Sequence, residues 1–536
     1  MSSASIPTSS RIRLLTAHPW ARIVAWTVGI LLLVVAVLLV VIWRNWPYRY
    51  GKVQPLLEKV LASQIEIQHY QLAYFPRPGF QAYGITLHRH STDAKLPPIG
   101  TAKELIVRGG WIDLLTFRKH VEAVDIEGLH VVLPPAGSKQ RAEDFPKGST
   151  SDFAGPTTTV GELSIRDGVF EIKSSDGTAP QVFPVRKFIV RDLVQHHAVR
   201  YTVDMITPQP NGHLLAQGSF GPLNVNNLGD SPFSGTFTYE QAQLKTVGSL
   251  RGELSGKGDF HGTLASLAIK GSTDTPQFAV ADGRPTPLKA DVDATVNALN
   301  GDIVLNSVEA RLGSSPLRAH GAISGSPKRT AVDIDALHSR AQDLMRPFNH
   351  DRPPITGAVS LRLHAQILPQ SRKGEDFLSR LHVEASLDAP TERLTDHTTE
   401  EKLSAFSERA QGAKDKGAPG DPPDAEVLTG LSGPLSLRNG IVTSERLHVV
   451  MAGASADLHG SYSFRDKGAH LTGNLTMQAD ISHTATGWKA KLLKPLAPFF
   501  KHKSKDADQP AVTVIPIAIT GKPGSYKVSG NLLHTK

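Results

Sequence analysis

The chain has 536 residues, among them 46 Gly, 37 Pro and no Cys, and a formal charge of +8. Without cysteine there is no disulfide scaffold, no Cys-ligated zinc or iron–sulfur cluster and no thiol nucleophile. With 40% apolar and 20% charged residues it is neither a disordered polyelectrolyte nor a polytopic membrane protein.

The first element in chain order is Ile23 to Trp43, a run of 21 residues without a charge. As a helix it rises about 31 Å, enough for one hydrocarbon core. Trp20, Ile23, Trp26, Trp43 and Trp46 mark this anchor, the tryptophans bracketing it as interfacial aromatics do. The run is longer than the apolar core of a cleaved signal peptide, so it reads as a single-pass signal-anchor. Arg11, Arg13 and Arg22 before it nearly balance Arg44, Arg49 and Lys52 after it. A cytoplasmic N-terminus with an exported C-terminal part is preferred, on a weak charge bias.

Val53, Leu56, Leu57, Val60 and Leu61 then repeat at helical spacing, with Pro55 in the first turn. From about residue 65 the period changes to short alternating runs, such as Ile65–Tyr74, Gly84–His90, Glu104–Arg108, Val121–Leu133 and Gly161–Lys173. Such runs, separated by Gly, Pro, Asn and Asp, predict many short strands. The spacing predicts helix again only over Thr391–Gly412 and Trp488–Lys503. Residues 134–159 and 412–424 are Pro/Gly/Ser-rich and read as exposed linkers.

An internal repeat joins GELSIRDGVF (161–170) to GPLSLRNGIV (433–442). Asp167-Gly168 and Asn439-Gly440 each predict a two-residue hairpin turn. Gly218, Gly262, Gly321, Gly460, Gly473 and Gly530 each fall inside an alternating run. A glycine weakens a strand unless the sheet bends there or another backbone comes close. The recurrence predicts a mainly β protein: one long, strongly curved antiparallel sheet, an open groove of repeated strands with a few covering helices. A set of ordinary β-sandwiches is the alternative.

Motifs for chemistry are missing: there is no Gly-x-Ser-x-Gly elbow, phosphate loop, His-Glu-x-x-His or EF-hand. His88 with His90, adjacent His196 and His197, and the pair Asp333 and Asp335 read as polar positions on strand faces rather than sites. The expectation is a non-enzyme with no cofactor and no metal. The lysines are scattered and aromatics few, which argues against nucleic acid. One dense cluster, Lys489, Lys491 and Lys494 around Leu492, Leu493, Leu496, Phe499 and Phe500, is a candidate second membrane contact. A helix covering the end of the sheet explains it equally well.

FPRPGFQAYGITLHRH (75–90), AKELIVRGGWIDLLTF (102–117), GKGDFHGTLASLAIKGS (256–272) and LTGNLTMQADISHTATGWKAKLLKPLAPFF (471–500) are together similar to the AsmA-like family of envelope proteins. That family is related to TamB and the bridge-like lipid-transfer proteins. The resemblance implies an inner-membrane protein whose C-terminal part lies in the periplasm. It would hold or transfer phospholipid between inner and outer membranes in a groove apolar on its concave face, supporting outer-membrane biogenesis and integrity. Expected partners are membrane lipids (phospholipid, with lipopolysaccharide as a further candidate), the inner membrane and an envelope protein. The alternative function is a non-enzymatic assembly factor that contacts outer-membrane proteins through strand edges. The implied division is a cytoplasmic tail (1–22), the anchor helix (23–43), an AsmA-like N-terminal module (44–133) and a linker (134–159). The repeated β-groove (160–390), a helix and flexible linker (391–424) and an AsmA-like C-terminal β module with its basic amphipathic helix (425–536) follow.

Overall fold

A computed structural model describes residues 46–88, 98–134, 159–173, 179–369, 377–394, 429–479, 501–502, 512–522 and 527–530, with a few single gaps inside these ranges and isolated positions outside them. Most of the anchor segment 23–43 lies outside the described residues. Among the described residues no helix is long and apolar enough to cross a membrane.

The described chain folds as one long curved sheet of twenty-six strands. After the helix α1 (Tyr50–Leu61) come β1 (Gln64–Ala73), β2 (Gly79–His88) and β3 (Gly100–Gly109). A short helix α2 (Trp111–Leu115) leads into β4 (His120–Glu127) and β5 (His130–Leu133). Both β4 and β5 lie beside β3, as one strand interrupted at Gly128 and Leu129. Next are β6 (Thr159–Ile172), β7 (Gln181–Leu193), β8 (Val199–Pro208), β9 (Asn211–Phe220) and β10 (Phe233–Gln243). The two-residue β11 (Leu250–Arg251) precedes β12 (Glu253–Thr263), β13 (Ser266–Val280), β14 (Thr286–Asn297), β15 (Asp302–Leu312) and β16 (Ser315–Ser324). Then come β17 (Arg329–Arg340), β18 (Ile355–Ile367), β19 (Leu381–Leu394), β20 (Thr429–Arg438), β21 (Ile441–Met451), β22 (Ala454–Ser463) and β23 (Gly468–Met477). The sheet closes on β24 (Lys501–His502), β25 (Val512–Gly521) and β26 (Lys527–Gly530), with β25 central to the three.

Neighbours in sequence pair antiparallel almost throughout, so hairpins build most of the sheet. The exception is β6, which runs parallel to β4 and β5, making the sheet mixed rather than wholly antiparallel. A parallel partner requires the chain to return across the sheet. That return falls in the expected linker 134–159, of which 135–158 lie outside the described residues.

Two devices bend the sheet. Glycines at Gly218, Gly321, Gly460 and Gly473 sit inside strands, and a Cβ there would fall 1.9–2.2 Å from the neighbouring strand's carbonyl oxygen. Only glycine lets the backbones close in that far. The second device is a β-bulge on every other strand from β10 to β21: β10, β13, β15, β17, β19 and β21 each carry the extra residue, as β4 and β7 do nearer the β1 end. On β17, Ala336 pairs with Leu361 and Ser339 with Val359, so Leu337 and His338 together oppose Ser360. Bulges bend the strand and strengthen local twist.

The two expected hairpin turns fare differently. Asn439 and Gly440, both at positive φ, form the hairpin turn between β20 and β21. Asp167, at φ 50°, does not turn the chain: β6 continues straight through it, with Arg166 opposite Lys187 and Gly168 opposite Val185. Its outer neighbours, β4 with β5 on one side and β7 on the other, pair along the whole length of β6 and outweigh the local turn preference. Thr391–Leu394 is the end of β19 rather than helix; helical conformation begins beyond it, with Ser404, Ser407, Glu408 and Ala410. In α1, Val53 is buried and Leu57 packs on the sheet, but Leu56 points to solvent.

Candidate functional site: a continuous apolar face

Alternation along each strand assigns its side chains to two faces. Because register fixes which residues lie opposite, a single row of partners can be followed across the sheet. It begins Leu72–Phe80–Val107–Val124–Leu163–Val190–Tyr201–Gly218. It continues Gly235–Phe260–Ile269–Ala294–Leu305–Gly321–Val332. It ends Ala365–Val383–Leu437–Val442–Tyr462–Ala469–Gly521. From β1 to β25 every member is apolar or glycine. Eight of the strands it crosses carry an extra residue, yet the row stays apolar throughout.

The opposite face carries cross-strand ion pairs. Lys270 meets Asp293 at 3.3 Å, Lys289 meets Asp274 at 3.2 Å and Arg438 meets Glu384 at 3.2 Å. Asp333 takes His364 at 2.7 Å and His320 at 3.5 Å, while Asp335 faces Arg362 at 3.8 Å. Asp333 and Asp335 thus belong to this polar ladder. The hydrogen bonds from Asn306 and Lys270 hold the Asp293 carboxyl below the usual range, and His448 does the same for Asp457. His88 pairs with Glu66 at 3.1 Å across β1 and β2, and His197 lies in the β7–β8 turn; His90 and His196 are outside the described residues. Among the described residues no three His, Asp or Glu side chains gather as metal ligands.

Cover over the apolar face varies along the sheet. At the β1 end, α1 lies on it, and Val53 joins Trp46, Tyr48, Ile65, Phe80 and Leu105 in one buried cluster. The same helix protects the edge strand. Gln54 Nε2 donates to the Ile65 carbonyl at 3.3 Å, and Glu58 accepts from the Ile65 N–H at 3.3 Å. Trp46, expected at a membrane interface, is only 4% exposed, with Tyr74 at 5.1 Å and Trp111 at 6.1 Å between ring centres. At the β25 end, Ala410 is buried against Leu458, Leu475, Met477 and Ile515. Ser407 ties that helical segment to the Ala452 carbonyl at 2.6 Å. A helix cover within 391–412 is therefore present, in its second half.

Between the ends, β8 to β12 fill the face with aromatic rings laid over glycines. Tyr201, Phe233 and Phe260 crowd Gly235, and Phe237 lies against Gly258 and Gly271. Rings over strand glycines restore contact area that glycine lacks. Over β14 to β18 the short helix α3 (Ala341–Met345) packs Ala341 and Leu344 on Val359 at one end of β18, and no described residue lies over the middle of these strands. Val292, Val308, Leu317, Val332, Ile334 and Leu363 are nonetheless half-buried. The polar face has an open furrow of about 890 Å³ along β10–β16. Its lining charges, such as Lys289 with Asp274 and Arg318 with Glu309, are paired with one another.

Of the site residues expected from sequence, Trp20, Ile23, Trp26 and Trp43 lie outside the described residues, as do Lys489, Lys491, Leu492, Leu493, Lys494, Leu496, Phe499 and Phe500. Just past that second cluster, Lys501 and His502 form β24 beside β25 instead of continuing a helix. Sequence reasoning did not single out the row of lining residues, because a one-residue register error exchanges the two faces. Comparison with family models, curated proteins and solved structures returns no match.

Proposed function

We propose that the apolar face is a groove for lipid acyl chains and that the protein holds or moves phospholipid along it, anchored in the inner membrane by residues 23–43 with the sheet in the periplasm. The observation that carries this reading is the unbroken apolar row from Leu72 to Gly521, which no described residue covers over the middle of β14–β18. At about 4.8 Å per strand, the sheet has a contour on the order of 100 Å. An acyl chain gains about 0.8 kcal/mol for each CH₂ removed from water, so a long chain prefers such a face to solvent by many kcal/mol. Headgroups would stay in water at the rims. No bond need be made or broken, which fits a sequence lacking nucleophile elbow, phosphate loop and metal motif. On this reading the chain is an AsmA-like envelope protein.

The alternative, an assembly factor working through open strand edges, has less support. The β1 edge is met by α1, and the far edge of β25 carries β24 and β26.

Photo-crosslinking in native membranes tests the groove. A photoreactive residue at Val292, Val308 or Ile334 should give lipid adducts, and one at Asp291, Glu309 or Asp335 should not. Equal labelling of both sets, or of neither, would sink the proposal.

A further inference from the structure

Several exposed large apolar residues among those described stand on separate turns, such as Phe348 and Phe464. One group does not. The turn between β1 and β2 presents Tyr74 and Phe75, and α2 beside it presents Trp111, Ile112 and Leu115. Phe75 is 88% exposed and Ile112 73%. The two loops are held as one surface: Trp111 Nε1 donates to the Pro76 carbonyl at 3.0 Å, and the Trp46 ring lies against both Tyr74 and Trp111. Arg77 flanks the group, paired with Glu122 at 2.9 Å.

The position of this surface names its occupant. Trp46 is three residues past Trp43, where the uncharged run ends, and three residues reach at most about 11 Å. We propose that the β1–β2 turn and α2 form a membrane contact, with Phe75, Trp111, Ile112 and Leu115 set into the interfacial layer of the bilayer that the 23–43 segment enters. Aromatic and aliphatic side chains at headgroup depth are favoured there, typically within about 5–10 Å of the acyl boundary. The contact would fix the orientation of the sheet's β1 end against the membrane, which a single point of attachment cannot do. This inference rests on the proposed anchor, but not on lipid occupying the groove.

The chain contains no cysteine, so single cysteines can be placed without background. The full-length protein, reconstituted in phosphatidylethanolamine/phosphatidylglycerol vesicles, would carry an environment-sensitive dye at Phe75→Cys, Ile112→Cys, Leu299→Cys or Leu33→Cys. Dye at 75 and 112 should emit to the blue and be quenched about twofold or more by shallow spin-labelled lipids. Dye at 299 should stay at its aqueous wavelength, and dye at 33 should respond to deep spin labels. Quenching at 33 without quenching at 75 and 112 overturns the contact while leaving the anchor. Quenching at neither site overturns both. A blue shift at 75 and 112 that spin-labelled lipid does not quench points to a protein neighbour and also overturns the contact.

Discussion

The β1 end and the β14–β18 middle share one apolar face but treat it differently. At the β1 end α1 covers it, and Trp46, Tyr48, Phe80 and Tyr70 pack ring against ring, with 5.2 Å between Tyr70 and Phe80. Burial there pushes the Tyr70 hydroxyl well above the ordinary phenol range. In the middle the same alternation gives Val292, Val308 and Ile334, half-buried with no described residue layered over them. A pattern that reads identically in sequence therefore produces a closed core in one place and an open wall in another. The difference lies in whether a helix is supplied to lie on it.

Stability should register that contrast most strongly. Phe80→Ala empties a filled site and should cost about 3–5 kcal/mol, whereas Val308→Ala on the open wall should cost about 1 kcal/mol. Chemical denaturation of the lipid-free protein measures both, and similar losses would erase the distinction between core and wall. Next in size is Gly321→Ala, whose new Cβ would lie 2.2 Å from the Ala331 carbonyl oxygen. Forcing the strands apart should cost about 1–3 kcal/mol and flatten the wall, so lipid adducts at Ile334 should fall with it. Unchanged stability and adducts would mean that the bend at Gly321 is dispensable.

The smallest effect belongs to the polar face, which is alike in both regions. Asp457 is held below the usual carboxylate range by His448, at 2.9 Å, with Arg446 alongside. A depressed pKa stabilises the fold fully above the unfolded value of about 3.9 and loses that contribution as pH falls through the depressed value. Asp457→Asn should therefore lower stability by only a few tenths of a kcal/mol near neutral pH, and the deficit should vanish in acid. A deficit that grew in acid would contradict the assignment.

Much of this architecture was legible in the residues. Alternating runs marked strands, the glycines inside them marked bends, and Asn439-Gly440 marked a turn. Local signals failed where distant pairing decided. Asp167-Gly168 has the same turn chemistry, but partners on both sides of β6 hold it extended. Thr391–Leu394 lies in a helix-favouring stretch, yet it pairs with β18 and, at Glu392, with β20. The alternate-strand bulges left no mark at all, since a bulge is an extra residue relative to a neighbour and only register reveals it. The lining row was hidden for the same reason. What sequence did locate was the face, as a periodicity, without saying which side it took.

The bulge pattern has a consequence for how such a protein can change size. From β10 to β21 strands with the extra residue alternate with strands without it, and alternate strands of an antiparallel sheet point the same way. The building block is therefore a hairpin, one kinked strand and one straight one. Adding or deleting a whole hairpin leaves strand direction and kink phase intact; adding one strand reverses both. A lineage could thus lengthen or shorten the wall in steps of about 9.6 Å, adjusting it to the gap it must cover by counting hairpins.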